Sequence, residues 1–313
     1  MLTAIVSHCK IYLYTNKFVN PVVTESFHCV SYFRPTTLTD AVAWLAENDG
    51  RIAAGCTDLF PGTDRPALSG PVLDITAIDA LRGIEETDEG WRFGAATTWT
   101  DVLRAGLPAA FDGLKLAARE VGSMQIQNAG TLGGNLCNAS PAADGVPCLL
   151  TLDAEVELTS QAGCRTLPLG DFIKGPRQTA LGKDELLSAL HIPRRAGRGS
   201  STFLKLGARK YLVISIAMVA ARLVIEDDTI AHAALSVGAC SAVAQRLPDI
   251  ETALIGQPAA PDAAAMITDT MVGAPLAPIA DVRSDAAYRS TAAAELVRRV
   301  VRSLLHDPKE AAA

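Results

Sequence analysis

VGSMQIQNAGTLGGNLCNASPAAD, residues 121–144, is the stretch on which the reading of this chain turns. Its first 23 residues carry no Asp, Glu, Lys or Arg, in a protein that is 20% charged. At its centre lies Gly130-Thr131-Leu132-Gly133-Gly134-Asn135, followed by Asn138, Ser140, Pro141 and Asp144. Adjacent glycines lack a Cβ and tolerate positive φ, so the backbone can approach a ligand closely. Successive N–H groups in such a turn form a nest for an anion, and no cationic side chain is needed. The expectation is a phosphate-holding loop in which Gly133 and Gly134 accept no side chain.

A second glycine turn, Ala54-Gly55-Cys56-Thr57-Asp58-Leu59, also lacks Lys and Arg. Neither turn fits GxGxxG or GxxxxGK[ST], and a lone short glycine turn is weak evidence of phosphate binding. The pair is the stronger signal. Around the turns, the pattern predicts a helix over 40–47 closed by Gly50 and a short buried strand at 51–53. Further strands are predicted at 71–75 and 91–95, and helices from 100 and over 114–121. Strands recur at 155–158 and 185–192, and the polar run PRRAGRGSS at 193–201 reads as a hinge between domains. Beyond it, 213–225 and 230–237 are apolar enough to pair as antiparallel strands, and 249–255, 263–272 and 286–305 carry helical periodicity.

The bulk properties exclude several classes. With 313 residues and 49% hydrophobic content, the chain can form two domains with sizeable cores. A net charge of −6 argues against nucleic acid as the main partner. No uninterrupted apolar run reaches the roughly 18 residues of a membrane span. The cysteines at 9, 29, 56, 137, 148, 164 and 240 form no CxxC pair, and the histidines at 8, 28, 191, 232 and 306 are scattered. That distribution suggests reduced thiols in the cytoplasm and neither a metal site nor an iron–sulfur cluster in this chain.

Five segments in order carry a resemblance: AAGCTDL at 53–59, GTLGGNLCNASPAAD at 130–144, ELLSALHIP at 185–193, KLGARK at 205–210 and DVRSDAAYR at 281–289. Together, from about residue 32 to about 306, they resemble the FAD-binding medium subunit of the molybdenum hydroxylases, the family of xanthine dehydrogenase and carbon monoxide dehydrogenase. The resemblance implies an α+β fold. A two-subdomain FAD-binding domain of the vanillyl-alcohol-oxidase (PCMH) type would occupy 28–196. A carbon monoxide dehydrogenase flavoprotein-like C-terminal domain, a small antiparallel sheet plus helices, would occupy 200–306, and 1–27 would be an N-terminal extension.

The same resemblance implies FAD as cofactor and assigns its contacts. Ala53, Ala54, Gly55, Cys56, Thr57, Asp58 and Leu59 would form one loop on the pyrophosphate. Gly130, Thr131, Gly133, Gly134 and Asn135 would form the other, with Thr131 adding a hydroxyl and Asn135 an amide. Val121 and Gly122 precede that loop, Val121 where some relatives carry an aromatic against the adenine. Cys137 would stand beside the isoalloxazine, and Asp144 would accept hydrogen bonds from the polar flavin or ribityl end. Leu187 would pack on the adenine, and Lys205 would lie near the cofactor. Plainer readings stand beside these: Asp144 as a turn cap, Leu187 as core, Lys205 as a surface lysine and Cys137 as a small hydrophobe.

Cys56 departs from the glycine most relatives have there, and Tyr211 alters a loop that approaches the flavin in some members. The implied partners are a molybdopterin-binding large subunit and a [2Fe–2S] small subunit, with no catalytic residue or metal in this chain. Two other functions compete: a stand-alone FAD-dependent oxidase of the same fold, and a scaffold that has lost FAD, for which Cys56 speaks. Residues 11–14 are a strand candidate within the extension. Deleting 1–27 should leave FAD content and Tm nearly unchanged. A large fall in Tm would show instead that 11–14 pairs into the sheet.

Overall fold

The computed structural model describes residues 31–306 apart from 64–67, 69 and 211, so the strand candidate at 11–14 and Tyr211 lie outside the described residues. The first unit is small. Strand β1 (Tyr32–Phe33), helix α1 (Leu38–Glu47), β2 (Arg51–Ala53) and β3 (Val72–Asp74) build a parallel sheet in the order β1-β3-β2. Helix α1 starts two residues before the expected position. Thr37 is its N-cap, its side chain accepting from the Asp40 N–H, which satisfies one of the orphan donors of the first turn. Ala41, Val42 and Leu45 then face Leu73, Ile75, Ile78 and Leu81 in a compact core.

A larger sheet follows. Strands β4 (Ile84–Glu86) and β5 (Gly90–Gly94) come first, then helices α2 (Trp99–Arg104), α3 (Asp112–Glu120), α4 (Met124–Ala129), α5 (Leu132–Asn138) and α6 (Gly145–Thr151). The chain returns as β6 (Glu155–Ser160), β7 (Gly163–Pro168), helix α7 (Leu169–Phe172), the hairpin β8 (Ile173–Gly175) and β9 (Gln178–Thr179), and β10 (Leu186–Pro193). The sheet order is β4-β5-β10-β6-β7, antiparallel throughout. Central β10 ties two cores together: Leu187, Leu190 and Ile192 enter the largest one, and Leu186 enters the core beneath α1. Burial of this strand on both sides explains its nearly continuous apolar run.

The second domain is a sheet of β11 (Ser200–Leu206), β12 (Ala217–Glu226), β13 (Thr229–Gly238) and β14 (Gln245–Arg246), antiparallel in that order. Asp227 and Asp228, at φ 48° and 55°, make the two-residue turn between β12 and β13, the left-handed geometry that matches strand twist. Helices α8 (Pro248–Leu254), α9 (Asp269–Gly273) and α10 (Ala286–Leu305) cover one face. Ala217, Val219, Ala221 and Leu223 of β12 pack in that helical core, while Met218 and Ala220 join the core of the first domain. Arg222, 1% exposed, also faces the first domain, donating to the Thr151 carbonyl at 2.9 Å and to that of Arg198 at 3.3 Å.

Two expectations change here. The helix expected over 263–272 is a 3₁₀ turn (Pro261–Met266) followed by α9, because Thr268 leaves the helical path to cap α9 with its side chain on the Met271 N–H. The polar run 193–201 forms a 3₁₀ turn (Arg194–Gly197) that buries Ala196 and lays Arg194 5.0 Å from the Trp91 ring centroid.

Three strands of the larger sheet share a polar cluster. Glu157 on β6 accepts from Ser188 Oγ at 2.6 Å, stands 2.9 Å from His191 Nε2 on β10, and lies 3.7 Å from Arg92 on β5. His191 first, then Ser188 and Arg92, hold its carboxyl down to about 2. The stabilisation is therefore complete above the ordinary value of 4.5 and is lost as pH falls toward 2. Glu157→Gln should cost about 1 kcal/mol at neutral pH, given the partial exposure. In urea unfolding, the deficit against the native chain should shrink across that acidic window.

Candidate cofactor site

Between the two domains runs a cleft of about 1030 Å³, at the upper end of the range of cofactor sites. Both glycine turns line it. They touch: a Cβ on Gly55 would lie 1.8 Å from the Ala129 carbonyl oxygen, so the first loop rests directly on the end of α4.

The second turn is not the open nest that was expected. Thr131 is the N-cap of α5, and Leu132 and Leu136, one helical turn apart, anchor α5 in the core. The N–H groups of Gly130, Leu132 and Gly133 donate to the carbonyls of Ile126 (2.7 Å), Thr97 (2.9 Å) and Ala95 (2.8 Å). Those of Gly134 and Asn135 donate to Thr131 Oγ1 and to the Thr131 carbonyl, each at 3.0 Å. These donors are already engaged by the protein. Neither Gly133 nor Gly134 has a positive φ. Gly133 is required by packing, since its Cβ would lie 2.8 Å from both Ala95 Cβ and the Ala95 oxygen. Gly134 is exposed to the cleft, and its Cβ would meet only its own cap, Thr131 Oγ1.

The first loop has the opposite arrangement. Among the described residues, no N–H of 55–59 donates to a backbone carbonyl. Cys56 sits at φ 57°, and one left-handed residue in such a loop turns successive N–H groups into a concave donor set. The glycine freedom that the pattern suggested at 133 and 134 is needed instead at 56, where a cysteine stands, and at Gly122, φ 54°.

Polar side chains meet where the domains join. Asp144 receives Lys205 Nζ on Oδ2 and Ser215 Oγ on Oδ1, both at 2.6 Å. Lys205 and Asp144 side chains are each 7% exposed, so Lys205 is no surface lysine. Burial raises the Asp144 carboxyl above its usual range, with Lys205 and Ser215 opposing it. Asp144 occupies the N-cap position of α6 but makes no capping bond with its side chain. Thr131 Oγ1 accepts from Gly134 and keeps its own proton to donate. Asn135 Oδ1 is buried beside Gly145 with no protein partner, a costly arrangement. Cys137 is open to the cleft yet hemmed in by protein, and that desolvation pushes its thiol up to about 12.

Of the residues assigned from sequence, all but Ala53 line the cleft; Ala53 is buried beneath the first loop. Leu187 is 2% exposed and serves the core as much as the cleft wall. Sequence reasoning missed Ser215, Arg177 and the charged wall of Asp281, Arg283 and Arg289. Arg289 is buried and donates to the carbonyls of Ile216 (2.6 Å) and Ala239 (2.8 Å) and to Asp281 Oδ1 (2.7 Å). It thereby fixes the segment that carries Ser215. The DVRSDAAYR motif was visible, but its contact with the cleft was not.

A cleft of this volume between two domains, with amides at one turn that have no backbone acceptor among the described residues, suits an extended dinucleotide. The comparisons agree. The family model for the FAD binding domain in molybdopterin dehydrogenase matches residues 25–195, and that for the CO dehydrogenase flavoprotein C-terminal domain matches 202–304. The chain is 32% identical to the nicotine 6-hydroxylase medium subunit of Paenarthrobacter nicotinovorans, over 87% of this chain and 96% of that one. Among solved structures, carbon monoxide dehydrogenase from Oligotropha carboxidovorans matches with a TM-score of 0.82 at 28% identity, covering 89% of this chain and 98% of that one. Quinoline 2-oxidoreductase from Pseudomonas putida 86 matches at 0.80 and 25% identity, with coverage of 89% and 98%. The chain belongs to the family of FAD-binding medium subunits of the molybdenum hydroxylases, and FAD is its cofactor.

The two glycines of α5 should now behave differently. Gly133→Ala should lower stability by about 1–3 kcal/mol through overpacking against Ala95, with FAD affinity following the loss of fold. Gly134→Val should lower the apo stability by no more than the loss of the Thr131 cap, about 1 kcal/mol, and should lose FAD affinity by far more than that. Differential scanning calorimetry and an FAD titration separate the two. Full FAD affinity in folded Gly134→Val would remove Gly134 from the cofactor wall.

Proposed function

We propose that this chain is the electron-transfer subunit of a molybdopterin-dependent hydroxylase in the cytoplasm. It takes electrons from [2Fe–2S] clusters on a small partner subunit, which receives them from a molybdopterin-binding large subunit, and delivers them to an acceptor. The observation that carries this reading is the rim of the cleft. Leu212, Ile214 and Ile279 line it at 55%, 53% and 54% exposure, and Val282, next in sequence to the cleft-lining Asp281 and Arg283, is fully exposed. Exposed aliphatic side chains grouped around a cofactor opening are what a protein interface requires. Relatives described as medium subunits or medium chains of larger enzymes support the same reading. No helix among the described residues is long and apolar enough to cross a membrane.

When bound, FAD supplies the redox chemistry, and the protein contributes binding, orientation and electrostatics. In this reading the free N–H groups of 55–59 and the Thr131 hydroxyl hold the diphosphate. Asp144, fixed by Lys205 and Ser215, keeps spare lone pairs for hydroxyl or N–H donors of the flavin or ribityl end. Val121 and Leu187 give apolar contact. Cys137 stays a neutral thiol at physiological pH and acts as an uncharged wall, not as a nucleophile.

Titrating FAD into the isolated chain should raise its stability by RT ln(1 + [L]/Kd), about 2.7 kcal/mol at a hundredfold excess over Kd. The FAD-loaded chain should then bind its reconstituted partner subunits, and their substrate should bleach the visible flavin band. No association together with no bleaching would reject the electron-transfer role while leaving FAD binding intact.

A further inference from the structure

Among the described residues, four cationic side chains line the cleft: Arg177, Lys205, Arg283 and Arg289. Lys205 is paired with Asp144, and Arg283 and Arg289 share Asp281. Arg177 differs. Among the described residues it has no carboxylate partner; its Nη1 reaches only the Asn138 carbonyl, at 3.3 Å, and its N–H donates to the Ala139 carbonyl at 2.9 Å. Its side chain is exposed to the opening. Its backbone lies at φ 60°, in the tight turn between β8 and β9, a conformation that costs a long side chain and that tends to persist at ligand clamps.

The cleft needs such a charge. The amides of Gly130, Leu132, Gly133, Gly134 and Asn135 in the second glycine turn are engaged within the protein. Two acids in the lining, Asp58 and Glu120, make no ion pair among the described residues, which adds negative potential around an anionic ligand. The cofactor carries its charge on the diphosphate, and the ring system gains negative charge on reduction.

We propose that Arg177 is an anion-binding residue of the cofactor cleft, its guanidinium held by the Asn138 carbonyl at the C-terminal end of α5 and directed at a negatively charged group of FAD. The proposal rests on FAD being the cofactor. Arg177 also caps α5, so the test must separate charge from capping. In R177Q a neutral amide can still donate to the Asn138 carbonyl, and in R177K the charge is kept without the planar fork.

The full chain, stripped of FAD, would be titrated with FAD, ADP and riboflavin at low and high salt, and the flavin potential would be measured. R177Q should keep the apo Tm, weaken FAD binding roughly ten- to a hundredfold and flatten its salt dependence, while R177K recovers most of the affinity. Equal loss for ADP, with riboflavin unchanged, identifies the diphosphate as partner. Unchanged ADP binding with a lowered flavin potential identifies the reduced ring. The proposal is overturned if R177Q matches the native chain in FAD affinity at both salts and in potential, or if its losses merely track a lowered apo Tm. A native chain that binds no FAD would overturn the cofactor reading as well.

Discussion

A carboxylate buried where two domains meet must be paired, and Asp144 is paired twice. It sits at the start of α6 in the first domain, while Lys205 on β11 and Ser215 just before β12 belong to the second. Removing one partner of such a buried pair typically costs several kcal/mol, because the other charge is left in a poorly solvating place. The wall of the cleft and the junction of the domains are therefore one construction. Arg289 extends it, since its bonds to the Ile216 and Ala239 carbonyls hold the segment that carries Ser215. Arg222 secures the far side of the same junction through the Thr151 carbonyl.

Within that frame the two glycine turns divide the labour. The turn at 130–135 uses its amides to start α5 and to bond the loop after β5, so what it presents to a ligand is shape and a hydroxyl, while the unpartnered Asn135 amide oxygen is buried. Among the described residues the amides of the turn at 55–59 have no backbone acceptor, and Cys56 takes the left-handed conformation there. A non-glycine residue there costs roughly 1–2 kcal/mol. The packing of Gly55 on Ala129 leaves the loop little alternative. Cys56 is thus compatible with a working loop, which removes the one feature that favoured a scaffold without cofactor.

Legibility followed the range of the physics. The β12–β13 hairpin was readable from its apolar runs, although the two aspartates of its turn are not the usual Asn-Gly signal. The cleft residues at 53–59 and 130–144 were readable as a family pattern, and nearly all of them do line one cavity. Ser215 was not readable, because nothing in the sequence around it signals a partner 71 positions away. Arg177 was invisible for the same reason: its importance arises from every other cation in the cleft, among the described residues, having an acid. The single helix expected over 263–272 failed on competition, since alanine periodicity says nothing about a threonine that caps better than it propagates. The nest expected at 130–135 failed because hydrogen-bond use by neighbouring strands and loops is a tertiary fact.

The two-sided burial of β12 has a bearing on how the chain is made. Phe203, Met218, Ala220 and Ala239 complete the core of a domain whose other buried residues end near 196, while Val219 and Leu223 on the opposite face await α10, more than sixty residues later. During synthesis the first domain cannot close its core until the strands of the second have left the ribosome. The second cannot be expressed alone without baring an apolar sheet face. What looks like two modules on a map of the sequence is, for cooperativity, a single unit. Recombining halves between relatives would have to carry the β11–β12 face along with the first domain's helices to leave a foldable protein.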